Sequence, residues 1–157
     1  MKPRSGRKEQ INFNLQQAYV LASRPRVVLA EDDLELRGLL ASTLRRDGFE
    51  VVEATDGPDL LRVIGEEILR AQDGPGVDLV VSDIRMPGLS GLNVLAGLRR
   101  ADWSTPVLLI TGFGDHQTHA EARRLGAAAV LDKPFDLDVF RSTVLDLAGA
   151  SRLESGV

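Results

Sequence analysis

Residues 79–111 have the sequence LVVSDIRMPGLSGLNVLAGLRRADWSTPVLLIT. This stretch begins and ends with short aliphatic runs, at 79–82 and 107–110, that have the length and composition of buried strands. Between the two runs a leucine recurs every third residue from 92 to 98, as on one face of a helix. The order of strand, helix and strand predicts a βαβ unit, in which a crossover helix joins two parallel strands.

The same alternation extends in both directions along the chain. Further apolar runs of strand length occur at 27–30, 51–54 and 128–131, and segments with helical periodicity separate them. Only residues 115–125 carry a weak apolar face, so we expect a short or mobile helix there. The pattern predicts an α/β fold of type (βα)5: a doubly wound, five-stranded parallel sheet with helices on both faces. If the strands take the flavodoxin-like order 2-1-3-4-5, the first and third strands are neighbours.

The composition predicts a single folded domain. The chain has 157 residues, of which 43% are hydrophobic and 27% are charged, as in ordinary globular proteins. We expect the folded domain at 25–149. An N-terminal extension at 1–24, partly disordered or forming one short helix, is expected before it, and a C-terminal tail at 150–157 after it.

Composition also excludes several classes of function. The chain has no cysteine, so disulfides, thiolate metal sites and cysteine nucleophiles are absent. No apolar run approaches the roughly 18 residues of a membrane span, and the N-terminus lacks the apolar core of a signal peptide, so we expect a cytoplasmic protein without membrane insertion. Residues 26–157 contain 14 Lys and Arg against 22 Asp and Glu, a formal charge of −8 that disfavours nucleic-acid binding.

Polar residues follow four of the predicted strands. Glu31 and Asp32 follow the first, Asp83 the third, Thr111 the fourth and Lys133 the fifth. These strand ends lie at one edge of a parallel sheet, where ligands bind near the reversal of strand order. Clustered carboxylates repel one another unless a cation joins them, and Mg²⁺, with Mn²⁺ as a substitute, has the required preference for oxygen. The hydroxyl of Thr111 and the ammonium of Lys133 suit phosphoryl oxygens.

Each of these residues also has an ordinary structural explanation. The sequence at 32–35, Asp-Asp-Leu-Glu, is typical of a helix N-cap. Asp83 and Thr111 could be turn residues, and Lys133 could be an exposed charge. Their joint placement at successive strand ends favours a shared site.

Residues 25–149 resemble the receiver domain of two-component response regulators. The likeness rests on the pair Glu31-Asp32, on Asp83 within VVSDIRMPGLSGL, on Thr111 within LLITG, and on Lys133-Pro134-Phe135. It implies that Asp83 accepts a phosphoryl group from a phosphohistidine, that Thr111 and Lys133 contact that group, and that the Lys133–Pro134 peptide is cis. The implied Mg²⁺ ligands are the carboxylates of Glu31, Asp32 and Asp83 and the backbone carbonyl of Arg85.

The resemblance also implies the partners. The phosphoryl donor would be a sensor histidine kinase or a histidine phosphotransfer protein, and a downstream protein would bind the face formed by helix 4, strand 5 and helix 5. The resemblance leaves open whether the chain forms a homodimer. The resemblance implies a signalling domain that promotes only its own phosphorylation and dephosphorylation, rather than an enzyme.

Other interpretations compete with this one. An aspartyl phosphatase on a similar sheet expects a carboxylate two residues after the nucleophile, where this chain has Arg85. In a flavin-binding domain of this topology, the carboxylates after the first strand would repel the FMN phosphate. A receiver-like scaffold with altered switching and a receiver fragment of a longer regulator stay open.

Two positions depart from the family pattern. Many receivers carry an aromatic residue three positions before the lysine, and here that switch position is Val130, whose branched side chain has little rotamer freedom. Gly112 stands where alanine is common. We therefore predict that a signal runs through movement of residues 111–125. Within that segment, His116 and His119 are expected to be solvated rather than to bind a metal.

Overall fold

The computed structural model describes residues 23–112 and 116–154. The predictions for residues 1–22, 113–115 and 155–157 lie outside the described residues. In chain order the elements are β1 (Arg26–Ala30), α1 (Leu34–Arg46), β2 (Glu50–Ala54), α2 (Gly57–Arg70), β3 (Leu79–Asp83), α3 (Gly91–Arg100), β4 (Val107–Thr111), α4 (His116–Arg124), β5 (Ala129–Asp132) and α5 (Leu137–Glu154).

The strands form one parallel sheet in the order β2-β1-β3-β4-β5. The predicted fold class and strand order are therefore confirmed. β3 and β4 are buried along their whole length, because helices cover both faces of the sheet at its centre. This burial explains why their sequences are almost unbroken aliphatic runs.

Two apolar clusters hold the layers together. On one face, side chains such as Val28, Val80 and Leu109 of the sheet pack with α2 and α3. On the other face, Val27, Leu29 and Leu108 pack with α1 and α5. Successive strand residues point to opposite faces, so each central strand contributes to both clusters.

Side-chain caps fix where three helices begin. Asp33 accepts a hydrogen bond from the amide of Leu36 at 2.9 Å and caps α1. Asp56 caps α2 and Ser90 caps α3 in the same way. All three caps follow strand carboxyl ends, and they leave the amino ends of the helices at the edge where the candidate site was predicted.

α4 and α5 attach to the sheet very differently. Ala122 is the one buried residue assigned to α4, which fits the weak helical pattern of the sequence. α5 continues to Glu154, beyond the predicted end of the folded domain at residue 149. Arg152 accounts for the extra turn, because its guanidinium donates to the carbonyl oxygens of Ser23 and Arg24 at 3.2 and 3.3 Å.

A network of ion pairs lies at the amino ends of the strands, which we call the amino pole. The Arg26 guanidinium donates two hydrogen bonds to Glu67, at 2.7 and 2.8 Å, and a third to Glu50 at 3.0 Å. The pKa of Glu67 is lowered, chiefly by its hydrogen bonds with Arg26. Asp78 accepts from the Arg26 amide at 2.7 Å and pairs with Arg152 at 3.3 Å, although burial raises its pKa.

No helix in the described part of the chain combines the length and apolar character needed to cross a membrane.

Candidate functional site

The carboxyl ends of β1 and β3 bring three carboxylates together. Ala30 pairs with Ser82 in the sheet, so the next residues, Glu31 and Asp83, follow neighbouring strands side by side. Glu31, Asp32 and Asp83 each offer an oxygen, and these oxygens all lie within 4.8 Å of one another. Glu31 and Asp83 are buried, whereas Asp32 is exposed. The predicted acidic cluster is therefore present as a compact group with one open side.

Asp32 is available to this cluster because its neighbour performs the capping. The sequence at 32–35 left open which acid would cap α1, and the structure assigns the cap to Asp33. The Asp32 carboxylate is thus not needed to satisfy the amides of the first helical turn.

Lys133 reaches the cluster from the far side of the sheet. Thr111 of β4 pairs with Asp132 of β5, and the Lys133 amide donates to the Thr111 carbonyl at 2.7 Å. From this position the Lys133 Nζ donates to Asp83 Oδ2 at 2.6 Å and to Glu31 Oε1 at 3.1 Å. The Lys133–Pro134 peptide is cis, as the resemblance implied. The side chain of Lys133 passes β4 and contacts residues at the carboxyl ends of β1 and β3.

The electrostatics of the cluster are unbalanced. Burial, together with the neighbouring Asp83, raises the pKa of Glu31 to about 8, against the opposing effect of Lys133. Burial disfavours the charged ammonium of Lys133, but its bonds to Asp83 and Glu31 outweigh that cost, and its pKa is raised. One ammonium faces three carboxyl groups, so the site retains a tendency to attract positive charge.

The donor set fits a hard divalent cation. All three candidate side chains offer oxygen, and the open side at Asp32 leaves room for water ligands, which Mg²⁺ retains in most protein sites. The Arg85 amide donates to Asp83 Oδ1 at 3.1 Å, which orients the carboxylate. The part assigned to the Arg85 carbonyl in metal binding stays a prediction.

Thr111 and Val130 lie on the strands beside Asp83. Thr111 ends β4 and is buried, and its carbonyl holds Lys133 in place. Val130 is half-buried and packs against the apolar cluster shared with α2 and α3. Contact of Thr111 with a phosphoryl group and a switching role for position 130 stay predictions.

The loop from β3 to α3 packs tightly under the cluster. The Gly91 amide donates to the Ile84 carbonyl at 2.8 Å, and the Ile84 amide donates to the Ile110 carbonyl at 2.8 Å. A Cβ atom on Gly91 would lie 2.5 Å from the backbone oxygen of Asp83. Glycine at 91 is thus a steric requirement for the position of the Asp83 backbone.

Sequence reasoning missed two contacts around this site. The Arg37 guanidinium donates to the Glu31 carbonyl at 2.8 Å and pairs with Glu53 at 3.4 Å. His119 was expected to be solvated, but its Nε2 lies 2.9 Å from Asp132 Oδ1. A signal for Arg37 existed, because it follows the Asp33 cap by one helical turn. No sequence signal pairs His119 with Asp132.

Comparison with known proteins gives consistent matches. The response regulator receiver domain family matches residues 27–145. The chain is 38% identical over 130 residues to the transcriptional activator protein PfeR of Pseudomonas aeruginosa, a match covering 83% of this chain and 40% of PfeR. It is 27% identical over 119 residues to sporulation initiation phosphotransferase F of Bacillus subtilis, covering 76% of this chain and 90% of that protein.

A solved structure agrees with these matches. The receiver domain of the Francisella response regulator 1452 superposes with a TM-score of 0.73 at 26% identity, over 82% of this chain and 99% of that domain. The chain spans less than half the length of PfeR.

Proposed function

The chain belongs to the response regulator receiver domain family, and from that premise we propose that it accepts a phosphoryl group on Asp83 from a phosphohistidine and signals through protein contacts. The observation that carries the proposal is the position of Lys133, whose Nζ bridges Asp83 and Glu31. The Lys133 ammonium lies 2.6 Å from Asp83 Oδ2. It can therefore neutralise the negative charge of a phosphoryl group that becomes attached to the Asp83 carboxylate.

The transfer is a substitution at phosphorus. An Asp83 carboxylate oxygen forms the new P–O bond while the P–N bond to the donor imidazole breaks, and the imidazole nitrogen keeps the electron pair and takes up a proton. The Arg85 amide orients the nucleophile through its bond to Oδ1, and Lys133 supplies positive charge at Oδ2. Mg²⁺ held by Glu31, Asp32 and Asp83, with the Arg85 carbonyl, would neutralise charge on the phosphoryl oxygens when bound.

Thr111 is proposed to donate its hydroxyl to the phosphoryl group. Thr111 ends β4, which lies between β3 and β5 in the sheet. It therefore lies between Asp83 and Lys133 at the carboxyl edge, where the phosphoryl group would be. Mn²⁺ has the same oxygen preference and is expected to replace Mg²⁺.

The partners are proposed from family membership. A sensor histidine kinase or a histidine phosphotransfer protein would supply the phosphoryl group, in the cytoplasm. A downstream protein would bind the face of α4, β5 and α5. PfeR is described as a transcriptional activator, and the B. subtilis relative as a phosphotransferase.

A second candidate is a receiver-like scaffold with altered switching. It is favoured by Val130, which is half-buried and packs against the apolar cluster at the position where many receivers have an aromatic switch residue. The two candidates differ in whether phosphate changes the surface of the protein.

Phosphorylation is tested with acetyl phosphate. Incubation of the full chain with acetyl phosphate and Mg²⁺ should add one phosphoryl group, detected by intact mass, and Asp83→Asn should add none. Asp33→Asn is the matched control, since it alters a neighbouring acid that caps α1 while asparagine retains the cap. A chain that gains no phosphoryl group, or gains it equally in Asp83→Asn, would contradict the proposal.

A further inference from the structure

α4 is the helix with the fewest apolar anchors in the described part of the chain. α2 and α3 bury several residues each, whereas Ala122 is the one buried residue assigned to α4. A helix with so little buried surface depends on individual polar contacts for its position. Such a helix can move at low cost when one of those contacts changes.

A contact between His119 and Asp132 joins α4 to β5. His119 Nε2 lies 2.9 Å from Asp132 Oδ1, and the His119 side chain is only 23% exposed. Both residues line a cleft together with His116, Ala120 and Arg123. The contact bridges 13 residues of sequence and connects α4 to the last residue of β5.

The strand end of this contact is covalently continuous with the candidate site. Asp132 immediately precedes Lys133, whose Nζ holds Asp83 and Glu31. Asp132 also pairs with Thr111 in the sheet. Residue 132 is therefore joined through its backbone to both residues proposed to contact the phosphoryl group.

Resting on the proposed function, we propose that the His119–Asp132 contact is the link through which phosphorylation of Asp83 reaches α4. In the unmodified protein Lys133 bonds to the Asp83 carboxylate. Conversion of that carboxylate to an acyl phosphate places the negative charge on more distant phosphoryl oxygens, and the ammonium follows the charge. The shift of Lys133 changes the position of Asp132, and α4 responds because His119 ties it to that residue.

Val130 disfavours a route to the surface through side-chain rotation at that position. Its branched side chain packs against the apolar cluster and has little rotamer freedom. A rotating side chain at position 130 is therefore a poor route from the site to the surface, and the His119–Asp132 contact supplies an alternative route two residues further along β5.

The test is amide hydrogen exchange of the full chain with and without acetyl phosphate and Mg²⁺. The variant is His119→Phe. Phenylalanine has an aromatic ring and a helix propensity similar to that of histidine, but it lacks the polar ring nitrogens. The matched control is His116→Phe on the same helix, which leaves the His119–Asp132 contact in place. Asp132→Ala is a second variant that removes the carboxylate from the other side of the contact.

We expect phosphorylation to change exchange in the peptide covering 116–124 of the wild type and of His116→Phe. In His119→Phe, basal exchange there should be roughly two- to fivefold faster, because one hydrogen bond is lost. The ratio of exchange rates between phosphorylated and unmodified protein should fall toward one in His119→Phe and Asp132→Ala, while intact mass shows the same phosphorylated fraction. A merely structural role for His119 would raise basal exchange and leave that ratio unchanged.

The outcomes separate the two proposals. Absence of phosphorylation in the wild type would contradict the proposed function. A phosphorylated wild type whose α4 exchange does not respond, or a His119→Phe variant that responds as strongly as the wild type, would overturn the link while leaving the proposed function in place.

Discussion

Two buried glutamates, one at each end of the sheet, have pKa values shifted in opposite directions. At the amino pole, Glu67 is satisfied by three contacts with arginines, and its pKa is lowered. At the carboxyl edge, Glu31 is equally buried, but it shares a single ammonium with Asp83, and its pKa is raised to about 8. At Glu67 the hydrogen bonds with Arg26 outweigh the effect of burial, whereas at Glu31 burial and the neighbouring Asp83 outweigh Lys133.

The comparison of Glu67 with Glu31 shows at which end of the sheet the protein's own side chains compensate a buried carboxylate. At the amino pole, Arg26 and Arg70 compensate the charge of Glu67 within the protein. The carboxyl edge keeps an excess of carboxylate beside one exposed acid, Asp32, which is the condition for binding a cation and a phosphoryl group. We therefore expect changes at the carboxyl edge to alter phosphorylation and changes at the amino pole to alter stability.

The largest effect is expected for Lys133→Met. Removing the ammonium deprives the phosphoryl oxygens of positive charge and should slow phosphorylation by acetyl phosphate about 100-fold, as for loss of one pre-positioned donor. Initial rates at saturating Mg²⁺ give the comparison. Arg26→Met is the control from the amino pole, and its rate should equal that of the wild type. Equal phosphorylation rates in the wild type, Lys133→Met and Arg26→Met would contradict the proposed difference between the carboxyl edge and the amino pole.

Arg26→Met should show the reverse pattern in stability. It leaves the buried Glu67 without its main partner and should lower the free energy of unfolding by about 2 kcal/mol, less than for a fully buried pair because Arg26 is partly exposed. Urea unfolding at neutral pH measures this value. Arg62→Met is the control on α2, the helix that carries Glu67. It removes two exposed ion pairs and should leave the free energy of unfolding nearly unchanged.

Mg²⁺ should stabilise the protein through the carboxyl edge alone. At a free concentration about tenfold above its dissociation constant, the ion adds about 1.4 kcal/mol to the free energy of unfolding by mass action. Thermal unfolding with and without Mg²⁺ should show this gain in the wild type and in Asp33→Asn, and a much smaller gain in Asp32→Asn. Identical midpoints with and without the ion would argue against the metal site.

The smallest effect concerns acid. Because the pKa of Glu67 is lowered in the folded state, its contribution to stability is complete above its ordinary pKa of 4.5 and is lost as the pH falls through the lower folded value. Urea midpoints between about pH 6 and pH 3.5 should therefore fall less steeply in Glu67→Gln than in the wild type. Glu66→Gln, an exposed neighbour, should follow the wild type.

Much of the fold and of the candidate site could be predicted from the sequence. Buried parallel strands require aliphatic runs, and such runs fixed the strand positions to within one residue at each end. The carboxyl ends of neighbouring strands must meet, so Glu31 and Asp83 could be placed together before any coordinates. Lys133 could be assigned to the same edge because it follows β5.

The contacts of helices with strand ends could not be predicted in the same way. Arg26 and Glu67 meet because α2 ends over the start of β1, and this depends on the length of α2 and its angle to the sheet. His119 meets Asp132 because of the rotation of α4, which its few apolar residues do not determine. The extension of α5 to Glu154 likewise depends on Arg152, whose partners are 128 and 129 residues away.

The close contact at Gly91 limits how the protein can be redesigned. A variant library aimed at new partner specificity would naturally target the loop at 84–90, since it borders the candidate site. A methyl group at 91 would push directly on the backbone oxygen of Asp83, so even alanine there should misplace the nucleophile. Directed evolution of this surface should therefore keep position 91 constant and diversify the exposed side chains of Arg85 and Pro87.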